Sequence, residues 1–327
     1  MTLLTLDGLS VEIQTPEGPA VVLDDIDLSL DAGDWHGIVG ESGCGKSMTA
    51  LAIMGLLPDR ALTRGRVVFD GRDLLGLDDA ALGRIRGAEI GMIFQEPMTA
   101  LNPVHPIGRQ IAEGLRRTRG TGRAEAEATT RRAMSRVGLD PARFSPDLYP
   151  HQLSGGQRQR VMIAMVLARR PKLLIADEPT TALDVTVQAE ILQLIGEIAD
   201  ETGMALLLIT HDLGVVAAIA EAVHVMYAGR IVETGVTDAV FARLAHPYVR
   251  GLFEALPKDV TDPVRRGQKL TAIPGRVPEP LERSRACAFA ERCTFASERC
   301  THERPLLEAL DRPNHRAACF HPRPAPG

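Results

Sequence analysis

The eight residues Gly40-Glu41-Ser42-Gly43-Cys44-Gly45-Lys46-Ser47 constrain this chain more than any other stretch. They meet the pattern G-x-x-x-x-G-K-[ST] at every fixed position, and their flanks give the pattern physical meaning. Trp35-His36-Gly37-Ile38-Val39 reads as a short buried strand, and Met48 to Leu57 as a helix that Pro58 stops. A strand feeding a glycine-rich turn feeding a helix aims successive backbone N–H groups at one point, with the positive end of the helix dipole behind them. The glycines let the chain wrap a phosphate without Cβ clashes. Lys46 then reaches the terminal phosphates, the Ser47 hydroxyl ligates Mg²⁺, and Met48 continues the binding stretch into the helix. The expected ligand is a nucleoside triphosphate.

At 327 residues the chain is long enough for one large domain or two smaller ones. Apolar content of 45% and charged content of 24% are those of a globular protein. No apolar run approaches the roughly 18 residues needed to cross a bilayer; the longest, Val161–Ala168 and Met204–Ile209, are core-sized. The first residues lack a basic region and a cleavage site, so a cytoplasmic location is expected. A net charge of −5 argues against a nucleic-acid binder. The arginines between Arg116 and Arg136 read as a solvated helical face.

Organisation follows from patterning. Residues 1–35 alternate apolar and polar around a turn at Thr15-Pro16-Glu17-Gly18-Pro19, which predicts antiparallel strands beside the nucleotide core. Residues 97–155 are helical in pattern. Residues 171–235 return to strand–helix alternation (Lys172–Ala176, a helix through Val187–Ile198, Ala205–Thr210), which predicts a parallel sheet. Beyond Pro247 the chain turns proline-rich and charged, and residues 287–321 hold four of the five cysteines.

Two further stretches carry chemistry. Leu173-Leu174-Ile175-Ala176-Asp177-Glu178 describes a buried strand whose end delivers two acids to the phosphate site. Asp177 is expected to hold Mg²⁺, and Glu178 to polarise the attacking water. Leu153-Ser154-Gly155-Gly156-Gln157 opens a helix expected over Arg158–Arg169 and closed by Pro171, a second anion cradle. One phosphate site does not need two cradles, whereas two chains facing head to tail do.

The order phosphate loop, Gln95, Leu153–Gln157, Asp177-Glu178, Ala182-Leu183-Asp184, His211 resembles the ATP-binding-cassette (ABC) ATPases over residues 1 to about 250. The stretches Phe94 to Pro103, Tyr149-Pro150-His151-Gln152-Leu153 and His246-Pro247-Tyr248, with the four-cysteine tail, narrow the resemblance to ATPase subunits of dipeptide and oligopeptide permeases, most closely D-type subunits. The resemblance implies an α/β fold: a RecA-like parallel sheet core, an antiparallel β subdomain and a helical subdomain (about 97–155) within residues 1–250. A Cys-rich extension follows over 251–327. It implies ATP hydrolysis that powers peptide import, or import of nickel or another small solute. Gln95 would contact Mg²⁺ or the attacking water, His211 the γ-phosphate, and Asp184 the opposite site of a dimer in which Ser154, Gly155, Gly156 and Gln157 act in trans. The implied partners are a sister ATPase (or a second copy), two transmembrane permease subunits and an extracytoplasmic solute-binding protein, at the cytoplasmic face of the inner membrane. A soluble ABC ATPase of translation or repair fits less well, because a second cassette and long insertions are both missing. An exporter cassette would come with transmembrane helices.

Two features stand apart. No Phe, Tyr or Trp precedes Trp35, so aliphatic side chains near Val21 and Val22 must cover the base where an aromatic ring would stack. Cys287, Cys293, Cys300 and Cys319 are expected to share one metal centre, because a segment too small for a core of its own needs a staple. Zinc and a [4Fe–4S] cluster both accept four cysteines. The wide spacing and the resemblance both favour the cluster. Cys44, at a helix N-terminus, is either a small filler or a thiol of lowered pKa.

Overall fold

The computed structural model describes residues 1–95, 100–180, 184–256 and 272–325. Glu96–Thr99 and Ala182-Leu183 of the motif stretches, and residues 257–271 of the expected extension, lie outside the described residues.

Thr2–Thr15 (β1) and Gly18–Asp31 (β2) form a long antiparallel hairpin, and Ala61–Phe69 (β4) and Arg72–Asp73 (β5) complete a four-stranded sheet in the order β2-β1-β4-β5. Thr15 closes the turn by donating its hydroxyl to the Gly18 carbonyl at 2.8 Å. One strand lies outside this sheet although it falls between β2 and β4 in sequence: Trp35–Val39 (β3) sits in the middle of a second, eight-stranded sheet. Its neighbours are Ile90–Ile93 (β6), Leu173–Asp177 (β7), Ala205–Thr210 (β8), Ala222–Tyr227 (β9), Arg230–Val236 (β10), Glu308–Ala309 (β11) and Arg316–Ala317 (β12). The order is β11-β12-β10-β9-β3-β8-β7-β6, parallel from β9 to β6 and antiparallel beyond β9.

The parallel strands are largely apolar because both faces are covered, with polar residues confined to a few positions such as His36, Asp177, Thr210 and His224. Leu173, Ile175, Leu207 and Ile209 pack with the antiparallel sheet and the helix Lys46–Met54 (α1). Leu174, Ala176, Leu206 and Leu208 face the other core, with Ile107–Arg119 (α3), Arg123–Arg136 (α4), Gly155–Leu167 (α5) and Val185–Thr202 (α6). Asp79–Ile85 (α2), Leu213–Ile219 (α7), Thr237–Arg243 (α8), Pro247–Glu254 (α9) and Glu298–His302 (α10) complete the helices named here.

Several boundaries differ from expectation. Helix α1 ends at Met54 because Gly55 adopts a left-handed conformation (φ 61°) and returns its N–H to Ala52, so Pro58 is not the terminator. Helix α5 begins at Gly155, three residues before Arg158, because Ser154 caps it. Within 101–155 the chain is helical only over α3, α4 and the start of α5, apart from a short 3₁₀ turn at Pro150–Gln152; Gly138 (φ 77°), Pro141, Pro146 and Pro150 break the stretch between α4 and α5. The C-terminal stretch packs on the rest of the chain. Strand β12 pairs with β10 (Glu233↔Ala317), and the buried His315 ring bonds Glu233 at 2.8 Å.

Candidate active site

The loop from Gly40 to Gly45 runs from the end of β3 into α1. Two of its glycines are steric requirements. A Cβ on Gly40 would lie 2.2 Å from the Met226 carbonyl oxygen, and one on Gly45 (φ 112°) 2.8 Å from a Leu23 methyl. No side chain caps α1, so its first N–H groups stay available to an anion. Lys46 is 5% exposed, and its ammonium donates to the carbonyls of Gly40 (2.8 Å) and Glu41 (3.2 Å), at the mouth of the loop. Ser42 and Gly43 are exposed, and Met48 packs on the core beneath.

Cys44 is fully buried, and burial pushes its thiol pKa up, Lys46 opposing. The lowered-pKa reading is therefore overturned: desolvation outweighs the helix terminus, and Cys44 is a filler whose Sγ would meet a Cβ on Gly40 at 2.8 Å.

The acids stand opposite. Ser47 donates its hydroxyl to Asp177 Oδ1 at 3.0 Å. Burial raises the Asp177 carboxyl above its usual range; Ser47 and Lys46 pull it down and the neighbouring Glu178 charge pushes it up. Glu178 turns away from the strand in a left-handed conformation (φ 45°), with its N–H on the Ile209 carbonyl at 2.8 Å. For a non-glycine residue this backbone costs about 1–2 kcal/mol, and strain of that kind concentrates at functional sites. The turn brings Glu178 Oε2 within 3.1 Å of Gln95 Nε2, and Oε1 within 3.4 Å of His211 Nδ1. Gln95, Glu178 and His211 come from the ends of three neighbouring strands, β6, β7 and β8.

The expected trans residues lie apart from this cluster in their bonding. Ser154 Oγ accepts the Gln157 N–H at 3.3 Å while Gln157 Oε1 accepts the Ser154 N–H at 2.9 Å, a capping box at the start of α5. Ser154 and Gly155 are exposed, and a Cβ on Gly156 would lie 3.2 Å from Val187 at the start of α6. Asp184 caps α6 through the Val187 N–H at 3.0 Å.

The four tail cysteines line one small cavity with Phe289, Phe295 and Phe320. The N–H groups of Phe295, Ser297 and His321 point at Cys293, Cys300 and Cys319 Sγ at 3.4–3.5 Å. Burial raises the thiols of Cys287, Cys293 and Cys319, the last to about 11. Among the described residues no three His, Cys, Asp or Glu side chains are arranged to hold a single metal ion. The four thiols thus share one cavity, and burial there favours their neutral form.

Sequence reasoning missed the residues that brace the phosphate loop. Tyr248, used only as a family mark, accepts the Glu41 N–H at 2.8 Å, and Arg292 and Arg283 reach the loop from the tail. No short-range pattern links positions so distant; the only signal was an acid in a loop that binds anions.

Comparison with known proteins now decides the family. The model for "ABC transporter" matches residues 23–181, and that for "Oligopeptide/dipeptide transporter, C-terminal region" matches residues 232–300, beginning within β10. The oligopeptide transport ATP-binding protein OppD of Salmonella typhimurium is 47% identical, over 98% of this chain and 94% of that protein. OppD of Haemophilus influenzae is 47% identical over 91% of each. The chain belongs to the ABC transporter family. Its fold matches a dimeric ATP-binding cassette in a post-hydrolysis state bound to ADP and Pi, with TM-score 0.64 and 28% identity over 72% of this chain and 99% of that one. The fold is thus the ABC-type nucleotide-binding fold, and the chain is an ATPase that uses ATP and Mg²⁺. No helix of the described residues is long and apolar enough to cross a membrane.

Proposed function

We propose that this ATPase powers peptide import, docked at the cytoplasmic face of the membrane on two permease subunits that receive peptide from an extracytoplasmic binding protein. The observation that carries the reading is the 47% identity to OppD over 98% of this chain, joined to the Ser47–Asp177 and Gln95–Glu178 contacts beside the phosphate loop. Lys46 and the loop N–H groups bind the phosphates. Ser47 and Asp177 hold Mg²⁺, whose charge offsets that on the phosphate oxygens. Glu178 accepts the proton of the attacking water, Gln95 orients it and His211 contacts the γ-phosphate. Ser154 to Gln157 and Asp184 serve the site of a partner cassette, a sister ATPase in preference to a second copy. Co-reconstitution with the permease subunits encoded beside it should give ATP-dependent peptide accumulation in vesicles. Uptake of nickel with no response to peptide would redirect the assignment.

Residues 251–327 act in this reading as an extension to the cassette of residues 1–250, with Cys287, Cys293, Cys300 and Cys319 holding a [4Fe–4S] cluster. The support is a shared cavity and N–H groups aimed at sulfur. Anaerobically purified protein should be brown and lose its colour on Cys293→Ser. Colourless protein carrying one equivalent of zinc would replace iron with zinc on the same ligands.

A further inference from the structure

The C-terminal stretch touches the phosphate loop at two places, and neither contact belongs to the hydrolysis chemistry. Arg292, whose side chain is 6% exposed, places Nη1 and Nη2 on the two carboxylate oxygens of Glu41, at 2.7 and 3.0 Å. Its Nε donates to the Pro274 carbonyl at 2.7 Å, and its guanidinium lies over the rings of Tyr227 and Phe289, 5.7 and 5.8 Å from their centroids. The backbone of Glu41 is held separately by Tyr248. Arg283 bridges the other side. Its Nη1 donates to the carbonyls of Val21 and Val22 at 2.9 and 3.0 Å, and Nη2 to the Gly43 carbonyl at 3.2 Å. Two of the loop's four variable residues are thus held by side chains about 250 positions away.

Glu41 has the wrong charge for its place. A carboxylate within a loop that binds a triphosphate repels the ligand unless a cation neutralises it, and a half-buried acid without its partner is strongly unfavourable. The guanidinium fork fixes both charge and orientation, which an ammonium would not. A glycine-rich loop also loses much conformational freedom when it closes on phosphate. Ordering it beforehand removes that cost from binding.

We propose that Arg292 and Arg283 are positioning residues of the nucleotide site, through which the docked C-terminal stretch neutralises and pre-orders the phosphate loop and so sets ATP affinity. Phe289 and Cys293, on either side of Arg292 in sequence, also line the four-cysteine cavity, so the residue that holds Glu41 adjoins the cavity wall. The inference rests on the assignment of Gly40–Ser47 as the ATP site.

The test is equilibrium binding of a fluorescent ATP analogue to the full chain, with steady-state hydrolysis and thermal unfolding alongside. Arg292→Ala should weaken ATP binding about tenfold, within the usual span of coupling between sites, and the hydrolysis defect should appear in KM more than in kcat. Glu41→Gln, which removes the repulsion, should cost far less. The double variant Glu41→Gln/Arg292→Ala should recover most of the lost affinity, a rescue that loss of tail packing alone would not give. Arg299→Ala breaks an exposed pair with Glu303 inside the same stretch, away from the loop, and should leave affinity within about twofold. Wild-type affinity in Arg292→Ala, or a double variant as weak as the single, would overturn the proposal. If Arg292→Ala does not fold, Arg283→Ala decides: wild-type affinity there overturns it and a weakened, folded protein upholds it. A wild-type chain that failed to bind ATP would instead refute the assignment of the site itself.

Discussion

The helices that begin at Lys46 and at Gly155 both open on serine and glycine, yet they treat their unpaired N–H groups in opposite ways. At α1 no side chain caps the terminus, Gly45 is left-handed and Lys46 is buried at the mouth. At α5 the reciprocal bonds of Ser154 and Gln157 satisfy two of the N–H groups, leaving those of Gly155 and Gly156 uncapped, and Ser154 and Gly155 are exposed. The first terminus is kept open for a ligand by the chain that carries it. The second is partly self-capped, so it offers fewer free N–H groups and depends more on a partner to complete the site.

The largest effects should come at the first terminus and the acids opposite it. Glu178→Gln should lower hydrolysis about 10²-fold or more while ATP still binds, whereas Lys46→Ala should remove binding itself. Phosphate release by Glu178→Gln at the wild-type rate would break the division between binding loop and water-polarising cluster.

A smaller effect should sharpen the contrast. Ser154→Ala removes a cap worth about 1 kcal/mol. Hydrolysis should then fall more than ATP binding, because the loop of the same chain is untouched. Equal losses in both, measured by calorimetric ATP titration beside turnover, would mean that the second terminus serves its own chain's site.

The smallest effect concerns charge at rest. Asp177 is held above the usual carboxylate range in the folded chain, so folded protein binds its proton more tightly than unfolded protein does. Stability of the nucleotide-free protein should therefore decline as pH rises from the ordinary carboxylate value through the raised one. Asp177→Asn should abolish this decline and raise Tm at neutral pH while removing Mg²⁺-dependent turnover. A Tm for Asp177→Asn below wild type at pH 7 would contradict the desolvation that raises the acid.

Much of the fold was legible because its signals are local. The run of apolar residues at Leu173–Ala176 and the alternation in residues 1–35 each act within a few residues. Strand Ala205–Thr210 was read to the residue. Which strands flank β3 in its sheet was not legible, because pairing partners are set by packing and not by spacing. The meeting of Gln95, Glu178 and His211 was suggested only by the order of motifs; the left-handed turn at Glu178 that achieves it leaves no mark in composition. The choice at Cys44 between filler and reactive thiol stayed open for the same reason, since a helix terminus can be seen in sequence and burial of a side chain cannot.

Strand β12 has a consequence for the newborn chain. Strand β10 is synthesised some eighty residues before Arg316 emerges, so through that interval its outer row of N–H and C=O groups faces solvent. Such a row recruits strands from other molecules. Molecules truncated before Glu308 would keep that row bare on a protein that still holds its ATP loop, and crowded ribosomes would set such chains side by side.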